Sequence, residues 1–490
     1  MDNNLFNIKN GRNLTMLVDF YELTMGNGYL DQNVGEKIAY FDMFFRRIPD
    51  GGGYCIMSGV EQLMEYLSNL KFTDEDIDYL KSKNCFSDKF IDYLKNFKFS
   101  CDVWTIPEGN PVFPSEPLVT VRGPIMQAQF VETMILLTIN HQTLIATKAN
   151  RICRAAEDRP VMEFGSRRAQ GYDGAIYGAR SAIIGGCSAT ACTIAEQMFK
   201  VPASGTMAHS WVQLFPTEYK AFKAWAETYP DSCLLLIDTY NVLKSGLPNA
   251  IKVFDEVLKP KGYRPKGIRI DSGDITYLTK KCRQILDEAG YPDVKIVVSN
   301  SLDEHIITDV LSQGAKIDSF GVGERLITAR SEPVFGGVYK LAAIEEEGEI
   351  IPKIKISENE EKITNPGFKK IYRLFDKCSD KAIADLICLH DEIIDDSKPL
   401  EIFDPIHTWK KKKLNNYYAK ELMVQIFDKG NPCYKTPSVK DIQDYVKQET
   451  SKLWDEVLRF ENPHTYYVDL SKNLWNLKHD LLNRYSDIYE

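Results

Sequence analysis

The chain has 490 residues, of which 44% are hydrophobic and 26% charged, as is usual for a folded protein. Its net charge of −9 argues against a nucleic-acid binder, because such proteins present a basic face. No run approaches about 18 apolar residues and no leader peptide is visible, so we expect neither a membrane span nor secretion. The length suits two or three domains, and the eleven scattered cysteines are expected to stay reduced in the cytoplasm.

The first 150 residues are predicted to form an α/β sandwich domain. After an exposed lead-in over residues 1–15, helices are predicted at 16–25, 60–67, 74–80 and 127–150, and strands at 39–46 and 53–57. The stretch 102–121 alternates short β-rich runs with Pro and Gly, which indicates a small antiparallel sheet.

Residues 151–340 alternate short apolar strands with helices, which favours a parallel α/β arrangement. Strands are predicted at 160–164, 233–237, 267–270, 295–299 and 319–322, and helices at 175–185, 190–199, 215–228, 250–258, 275–289 and 305–313. An irregular α/β barrel is the preferred interpretation, and a doubly wound open sheet competes with it. Both place ligands at the carboxyl ends of the strands.

Residues 341–430 regain β character and are predicted to return to the N-terminal domain through strands and connecting loops. A strand at 339–344 leads into a charged hairpin at 345–351, and 391–396 is an acidic loop. The four lysines at 410–413 are expected to form a solvated loop. The tail, 431–490, is predicted to be helical, with a helix at 446–458.

Polar blocks recur where the predicted strands end. They are EFGSRR at 163–168, SGTMAHS at 204–210, DTYN at 238–241, RIDSGD at 269–274 and GVG at 321–323. Arginines clamp phosphate oxygens and carboxylates hold Mg²⁺, so a histidine among them suits phosphate chemistry. The alternative for His209 is a lone buried histidine bonded to a carbonyl.

Single residues within these blocks leave alternatives open. Phe164 offers a flat surface for stacking on a heteroaromatic ring, or it packs in the core. If residues 167 and 168 are extended, one arginine enters the site and the other faces away. Asp274 binds ligand or caps the next helix.

Two glycine pairs are candidate phosphate cradles. Gly321 and Gly323, like Gly336 and Gly337, offer backbone N–H groups, although a bare GxG is a weak signal. The chain contains no GxxxxGK[ST] motif, so any bound ATP does not use a P-loop.

In their order and spacing, these motifs resemble the nicotinate phosphoribosyltransferase family over nearly the whole chain. The matching stretches are DFYELTM at 19–25, FGSRRAQG at 164–171, SGTMAHS at 204–210, IDTYN at 237–241, IDSGD at 270–274, FGGVYK at 335–340 and FENPH at 460–464. The resemblance implies an irregular α/β barrel beside an α/β sandwich, assembled as a homodimer with shared active sites. It implies transfer of phosphoribose from 5-phosphoribosyl 1-diphosphate to nicotinate, coupled to ATP hydrolysis and dependent on Mg²⁺.

The resemblance also implies roles for individual residues. His209 corresponds to a phosphohistidine, and Phe164 and Tyr21 would sandwich the pyridine, with Tyr21 supplied by the second subunit. Thr206 and Arg269 would contact nicotinate. The phosphoribosyl group would be surrounded by Arg167, Asp238, Asp271, Gly321 and Gly323. The resemblance does not say which carboxylates hold the metal.

One departure and two alternatives remain. Family members often carry Thr after GxG, where this chain has Glu324, so a direct phosphate contact at that position is not expected. Nicotinamide-using relatives place an acidic residue near the turn matching 185–190, and this turn, GGCSAT, has none, which favours nicotinate. The other alternative is a non-catalytic nucleotide-binding protein.

Overall fold

The computed structural model describes residues 12–485. Within it the helices are α1 Phe20–Asp31, α2 Val60–Ser68, α3 Asp74–Ser82, α4 Asp88–Lys95, α5 Ile125–Phe130, α6 Glu132–Ala155, α7 Gly171–Gly185, α8 Thr193–Phe199, α9 His209–Leu214, α10 Glu218–Thr228, α11 Leu247–Val253, α12 Ile275–Glu288, α13 Glu304–Ser312, α14 Glu324–Ile327, α15 Val439–Ser451 and α16 Lys472–Arg484. No helix in this range is both long and apolar enough to cross a membrane.

The strands are short and numerous. They are β1 Ile38–Phe44, β2 Cys55–Ile56, β3 Asp102–Thr105, β4 Pro111–Val112, β5 Val119–Pro124, β6 Val161–Glu163, β7 Ala189–Thr190, β8 Leu234–Leu236, β9 Gly267–Ile270, β10 Lys295–Ser299, β11 Ser319–Val322, β12 Val338–Glu346, β13 Glu349–Pro352, β14 Lys369–Asp376, β15 Ala382–Leu389, β16 Leu400–Phe403, β17 Lys411–Leu414, β18 Tyr417–Glu421, β19 Val424–Asp428, β20 Asn431–Pro432 and β21 Val468–Leu470.

The chain divides into two compact units. The first takes residues up to 144, then 334–437 and those from 444 on, and the second takes 145–333 and 438–443. In the first unit a seven-stranded sheet has the order β13-β12-β1-β5-β3-β19-β20, and its ladders are antiparallel. Late strands β12, β13, β19 and β20 therefore complete the sheet begun by β1, β3 and β5, as the sequence predicted.

A buried ion pair fixes the second sheet of the first unit, whose order is β18-β14-β15-β21. Arg373 on β14 lies opposite Asp385 on β15 and donates from Nε and Nη2 at 2.8 and 2.6 Å. Both side chains are fully buried, and the Tyr466 hydroxyl donates a further bond to Asp385 at 3.0 Å. Because an uncompensated buried charge is costly, this bidentate pair holds β14 and β15 in register.

The second unit contains a six-stranded parallel sheet, β7-β6-β11-β10-β9-β8. Strands that follow one another in the chain pair, except β7 and β8, and the last strand, β11, pairs with the first, β6. This is the order of a barrel, opened between β7 and β8, where the described residues form no ladder. In a doubly wound sheet the chain starts at an inner strand, adds strands towards one edge and then adds strands towards the other edge, without closing on the first strand. The strand order here is therefore that of the irregular barrel.

Several predicted helix bounds were wrong, for identifiable reasons. Helix α1 begins at Phe20 rather than residue 16, because the backbone N–H of Asp19 donates to Thr133 Oγ1 at 3.1 Å and holds Asp19 extended. The helix predicted at 446–458 is α15, which begins at Val439, where Ser438 and Asp441 exchange capping hydrogen bonds.

Other differences concern elements that were missed or merged. Helix α4 was missed, although Ser87 caps it by accepting from the backbone N–H of Phe90. The helix predicted at 190–199 is a strand end followed by α8, and that predicted at 127–150 is two helices, α5 and α6. The lysines at 411–413 are exposed, as predicted, but they belong to β17, which pairs with β16, and do not form a loop.

Candidate functional site

One cavity of about 440 Å³ lies where the parallel strands of the second unit end. Residues at the carboxyl ends of β6, β8, β9, β10 and β11 form much of its wall. The lining residues are Phe164, Arg167, Arg168, Ala191, Gly205, Thr206, Met207, Ala208, His209, Leu236, Arg269, Asp271, Ser299, Asn300, Ser301, Gly321, Gly323 and Glu324. Parallel strands bring their carboxyl ends to one mouth, so polar blocks far apart in sequence meet there.

His209 is held by a buried carboxylate. Its Nε2 lies 3.2 Å from Oδ1 of Asp238, and the His209 side chain is 40% exposed whereas that of Asp238 is 2% exposed. The other Asp238 oxygen accepts from the backbone N–H of Asp271 at 3.2 Å and from Ser272 Oγ at 2.6 Å. Asp238 therefore lies under the imidazole and orients it, rather than facing the cavity itself.

Arg269 connects three parts of the cavity wall. Its Nε donates to Ser299 Oγ at 3.0 Å, its Nη1 to Thr206 Oγ1 at 2.8 Å and its Nη2 to Asp271 Oδ1 at 3.1 Å. Ser299 Oγ also donates to Asp271. A guanidinium has five N–H donors, so one remains on each terminal nitrogen, which is the pattern that a carboxylate accepts in pairs.

Phe164 forms an apolar wall beside Arg269. The guanidinium carbon lies 5.8 Å from the centre of the phenyl ring. Gly321 closes against the same ring, since a Cβ built on this glycine would lie only 2.6 Å from Cδ2. The site thus combines a flat aromatic surface with a nearby cation, which suits an aromatic ring that carries a negative group.

The turn that presents Phe164 is fixed by a buried acid. Glu163, at the end of β6, accepts from Thr190 Oγ1 at 2.6 Å and from the backbone N–H of Gly165. Burial raises the pKa of Glu163, while these two hydrogen bonds lower it. The carboxyl group ties β6 to β7 beneath the cavity and does not line it.

Arg167 and Arg168 depart from the extended geometry assumed for them. Residues Ser166–Arg168 form a turn of 3₁₀ helix, so the two side chains do not alternate, and both line the cavity. Glu324 also lines it, and its carboxylate pairs with Arg330 at 3.2 Å. That pairing partly offsets the negative charge, and the exposed arginines give this edge of the cavity a positive bias suited to phosphate.

Three proposed site residues lie elsewhere. Tyr21, Gly336 and Gly337 belong to the first unit and do not line this cavity. The Tyr21 phenol is hydrogen-bonded to Glu132, and burial, followed by that bond, raises its pKa. Asn140 Oδ1 would lie 2.2 Å from a Cβ on Gly337, so this glycine is required for packing. Asp274 caps α12 by accepting from the backbone N–H of Tyr277 at 2.9 Å, which selects the capping alternative.

The sequence interpretation missed the loop after β10. Ser299, Asn300 and Ser301 line the cavity, and the last two have φ of 103° and 45°, in the left-handed region. Such a conformation is strained for Ser and is found at ligand sites. The signal was available, because SNS follows a predicted strand in the same way as the blocks that were recognised.

The residues that the structure describes do not build a metal centre by themselves. Within residues 12–485 no group of three or more His, Cys, Asp or Glu side chains is arranged to hold an ion. The carboxylate of Asp271, which lines the cavity, already accepts hydrogen bonds from Arg269 and Ser299. Mg²⁺ is commonly bound through one or two carboxylates and substrate phosphates, so the donors here fit an ion that arrives with a phosphate ligand.

Family models match three successive parts of the chain. The N-terminal domain model of nicotinate phosphoribosyltransferase matches residues 16–140, the family model matches 160–388 and the C-terminal domain model matches 368–478. Together they span most of the sequence.

Individual relatives agree over the whole length. The chain is 46% identical to a nicotinate phosphoribosyltransferase of Bacillus subtilis over 465 residues, covering 95% of this chain and 94% of the relative. It is 32% identical to one of Dictyostelium discoideum, covering 96% and 89%. The crystal structure of human nicotinic acid phosphoribosyltransferase superimposes with a TM-score of 0.83 at 27% identity, covering 95% of this chain and all of that one.

Proposed function

Because this chain belongs to the nicotinate phosphoribosyltransferase family, and is an enzyme of NAD biosynthesis, we propose that it couples nucleotide formation to ATP hydrolysis through a phosphohistidine at His209. The observation that carries the proposal is the His209–Asp238 pair at 3.2 Å on the wall of the strand-end cavity.

The base occupies the surface formed by Phe164 and Arg269. Its pyridine ring stacks on Phe164, and its carboxylate accepts from the two N–H groups that Arg269 has left. Thr206 holds Arg269 from one side, so it positions the guanidinium. The turn at 185–190 has no carboxylate to accept from an amide, which agrees with nicotinate as the base.

The transfer step needs orientation more than proton movement. The ring nitrogen of nicotinate attacks the anomeric carbon of 5-phosphoribosyl 1-diphosphate, and the bond to the diphosphate oxygen breaks. The nitrogen lone pair is free, so no general base is required. The protein holds the reactants in line and stabilises the departing diphosphate through groups such as Arg167 and Arg168.

The phosphorylation step uses the imidazole that Asp238 orients. When one ring nitrogen donates its proton to Asp238, the other keeps a lone pair. That nitrogen attacks the γ-phosphorus of ATP, the bond to the ADP oxygen breaks, and Asp238 balances the charge of the imidazolium. The phosphoryl group then adds negative charge near Asp271 and changes how the cavity binds diphosphate.

A Mg²⁺ ion would be held jointly by a cavity carboxylate and the phosphate oxygens of the substrates. Bound with diphosphate, it would neutralise charge on the oxygens that the arginines do not reach. Asp271 and Glu324 are the carboxylates that line the cavity and could contact it. Binding of Mg²⁺ in this cavity depends on phosphate oxygens as ligands, since the described residues alone present no metal cluster.

The active enzyme is proposed to be a homodimer in which Tyr21 completes the partner's site. The resemblance to the family assigns Tyr21 to the second face of the pyridine. In this chain Tyr21 is 43% exposed on α1, which leaves part of the ring available for such a contact. Its bond to Glu132 restrains the phenol and directs the ring.

The proposal is tested by His209→Ala, with His305→Ala as the matched control, because His305 is an exposed histidine on α13 outside the cavity. Nicotinate-dependent ATP hydrolysis and transfer of γ-phosphate from labelled ATP to the protein are measured. We expect both to disappear in His209→Ala and to persist in His305→Ala. Labelling or coupling that survives in His209→Ala would refute the phosphohistidine.

A further inference from the structure

A second cavity, of about 460 Å³, lies wholly within the first unit. Its wall is formed by the hairpin turn between β14 and β15, by Lys412 and Lys413 of β17, and by Trp454. It is as large as the strand-end cavity, and none of the residues used by the proposed reaction lines it.

The cavity carries an excess of positive charge. Lys381, Lys412 and Lys413 line it, and Asp376 is the one carboxylate among its lining residues. The Asp376 carboxylate is already occupied, because Oδ1 accepts from the backbone N–H groups of Cys378 and Ser379 at 3.0 and 2.8 Å and from Ser379 Oγ at 3.0 Å. An anion entering the cavity would therefore meet ammonium groups that this carboxylate does not fully neutralise.

The basic wall is partly preorganised. Lys381 Nζ donates to the backbone carbonyls of Ser451 and Leu453 at 2.9 and 2.8 Å, which fixes its ammonium group. The same bonds tie the β14–β15 turn to the segment that ends in Trp454. Within the described range Lys413 takes part in no ion pair, whereas its neighbour Lys411 is paired with Glu401 at 3.2 Å.

Trp454 supplies an aromatic face beside these charges. Its indole contacts His464 edge-on, with ring centres 5.7 Å apart at 71°, and Tyr467 at 5.6 Å and 67°. His464 ends the FENPH motif, which the proposed reaction does not use. Lys412 and Lys413 line this cavity directly, and the FENPH motif reaches it through the contact between His464 and Trp454.

We propose that this cavity binds a nucleotide, with its base against Trp454 and its phosphate at Lys412 and Lys413. Aromatic stacking and charge-assisted hydrogen bonds are the two interactions that a nucleoside phosphate combines. Inorganic phosphate would use only the lysines, so the base distinguishes the two ligands. This site is independent of the proposed ATP coupling at His209.

The test is equilibrium binding of adenosine 5′-monophosphate to the full-length protein. Lys412→Ala/Lys413→Ala is compared with Lys410→Ala/Lys411→Ala, which removes two charges from the same cluster outside the cavity. Arg167→Ala/Arg168→Ala removes the two arginines proposed to bind phosphate in the strand-end cavity, which separates binding there from binding at the second site. Trp454→Leu removes the aromatic face.

We expect one binding event to survive in Arg167→Ala/Arg168→Ala and in the 410/411 variant. It should weaken by about tenfold or more in the 412/413 variant, because charge-assisted bonds are lost. It should weaken by about fivefold or more in Trp454→Leu.

Equal binding by the 412/413 and 410/411 variants would overturn the proposal, as would the absence of binding in Arg167→Ala/Arg168→Ala. If inorganic phosphate displaces the nucleotide with an affinity equal to that of the nucleotide itself, the proposal is also wrong, because the base would then contribute nothing to binding. Loss of this site should leave nicotinate-dependent ATP hydrolysis unchanged. A failure of the second-site proposal can therefore be told apart from a failure of the phosphohistidine proposal.

Discussion

A methyl group added at Gly321 is expected to displace the Phe164 ring from the cavity wall. A Cβ built there lies 2.6 and 2.7 Å from two ring carbons of Phe164 and 3.3 Å from Cβ of Ser299. Ser299 blocks retreat on its side, so the ring must move by roughly 1 Å to restore ordinary contact. The φ of Gly321 is outside the left-handed region, so the backbone itself does not oppose alanine.

The displacement should affect both stability and catalysis. Overpacking of this kind costs about 1–3 kcal/mol in the free energy of unfolding. A shift of roughly 1 Å in a surface that positions a reactant reduces the rate by as much as about a hundredfold. For Gly321→Ala we therefore expect kcat/KM for nicotinate to fall by about tenfold to a hundredfold.

The measurements are nicotinate mononucleotide formation at varied nicotinate and unfolding in denaturant. Gly174→Ala is the matched control, because its added Cβ would lie 3.8 Å from that of Ala169, an ordinary contact on α7. Its unfolding free energy should fall by no more than about 0.5 kcal/mol, and its kcat/KM should stay within about twofold of the wild type.

A double-mutant cycle identifies the contact responsible. In a Phe164→Leu background the smaller side chain leaves room, so adding Gly321→Ala should cost less stability than it does alone. If Gly321→Ala matches the wild type in kcat/KM, the ring is not held in place by Gly321 and the reasoning is wrong. An equal stability cost in both backgrounds would assign the effect to another neighbour.

Two further predictions concern base selection and assembly. Arg269→Gln should lower kcat/KM for nicotinate by about tenfold to a hundredfold more than for nicotinamide, because only the carboxylate loses a charge-assisted bond. An equal fall for both bases would mean that Arg269 serves mainly to hold Thr206 and Asp271. Mixed subunits of inactive Tyr21→Ala and inactive His209→Ala should regain activity through hybrid sites, measured after proven subunit exchange. Activity that stays absent would indicate sites complete within one chain.

The strand-end blocks were predictable because each lies directly after a short apolar run. Phe164, His209 and Arg269 meet at one cavity for a topological reason, since parallel strands end at the same mouth. Local pattern therefore sufficed to collect these residues, although their roles in the reaction remain proposals. The same argument applied to residues 299–301 would have found the missed loop.

Contacts between distant side chains could not be inferred in this way. Asp238 was expected at the phosphoribosyl group, yet it lies buried under His209 because the loop after β8 turns it toward the imidazole. The packing of Gly321 against Phe164 depends on the parallel ladder between β6 and β11, which joins segments about 160 residues apart in the chain.

By itself the sequence determined the alternation of strands and helices, the family resemblance and the set of polar blocks, because each depends on neighbouring residues or on motif order. Tertiary structure alone decided that β11 closes on β6 to give a barrel order, and that Lys412 and Lys413 line a cavity together with Trp454. The physical reason is that strand pairing and cavity formation depend on which distant segments bury one another. A period of two or of 3.6 residues specifies the element but not its partner.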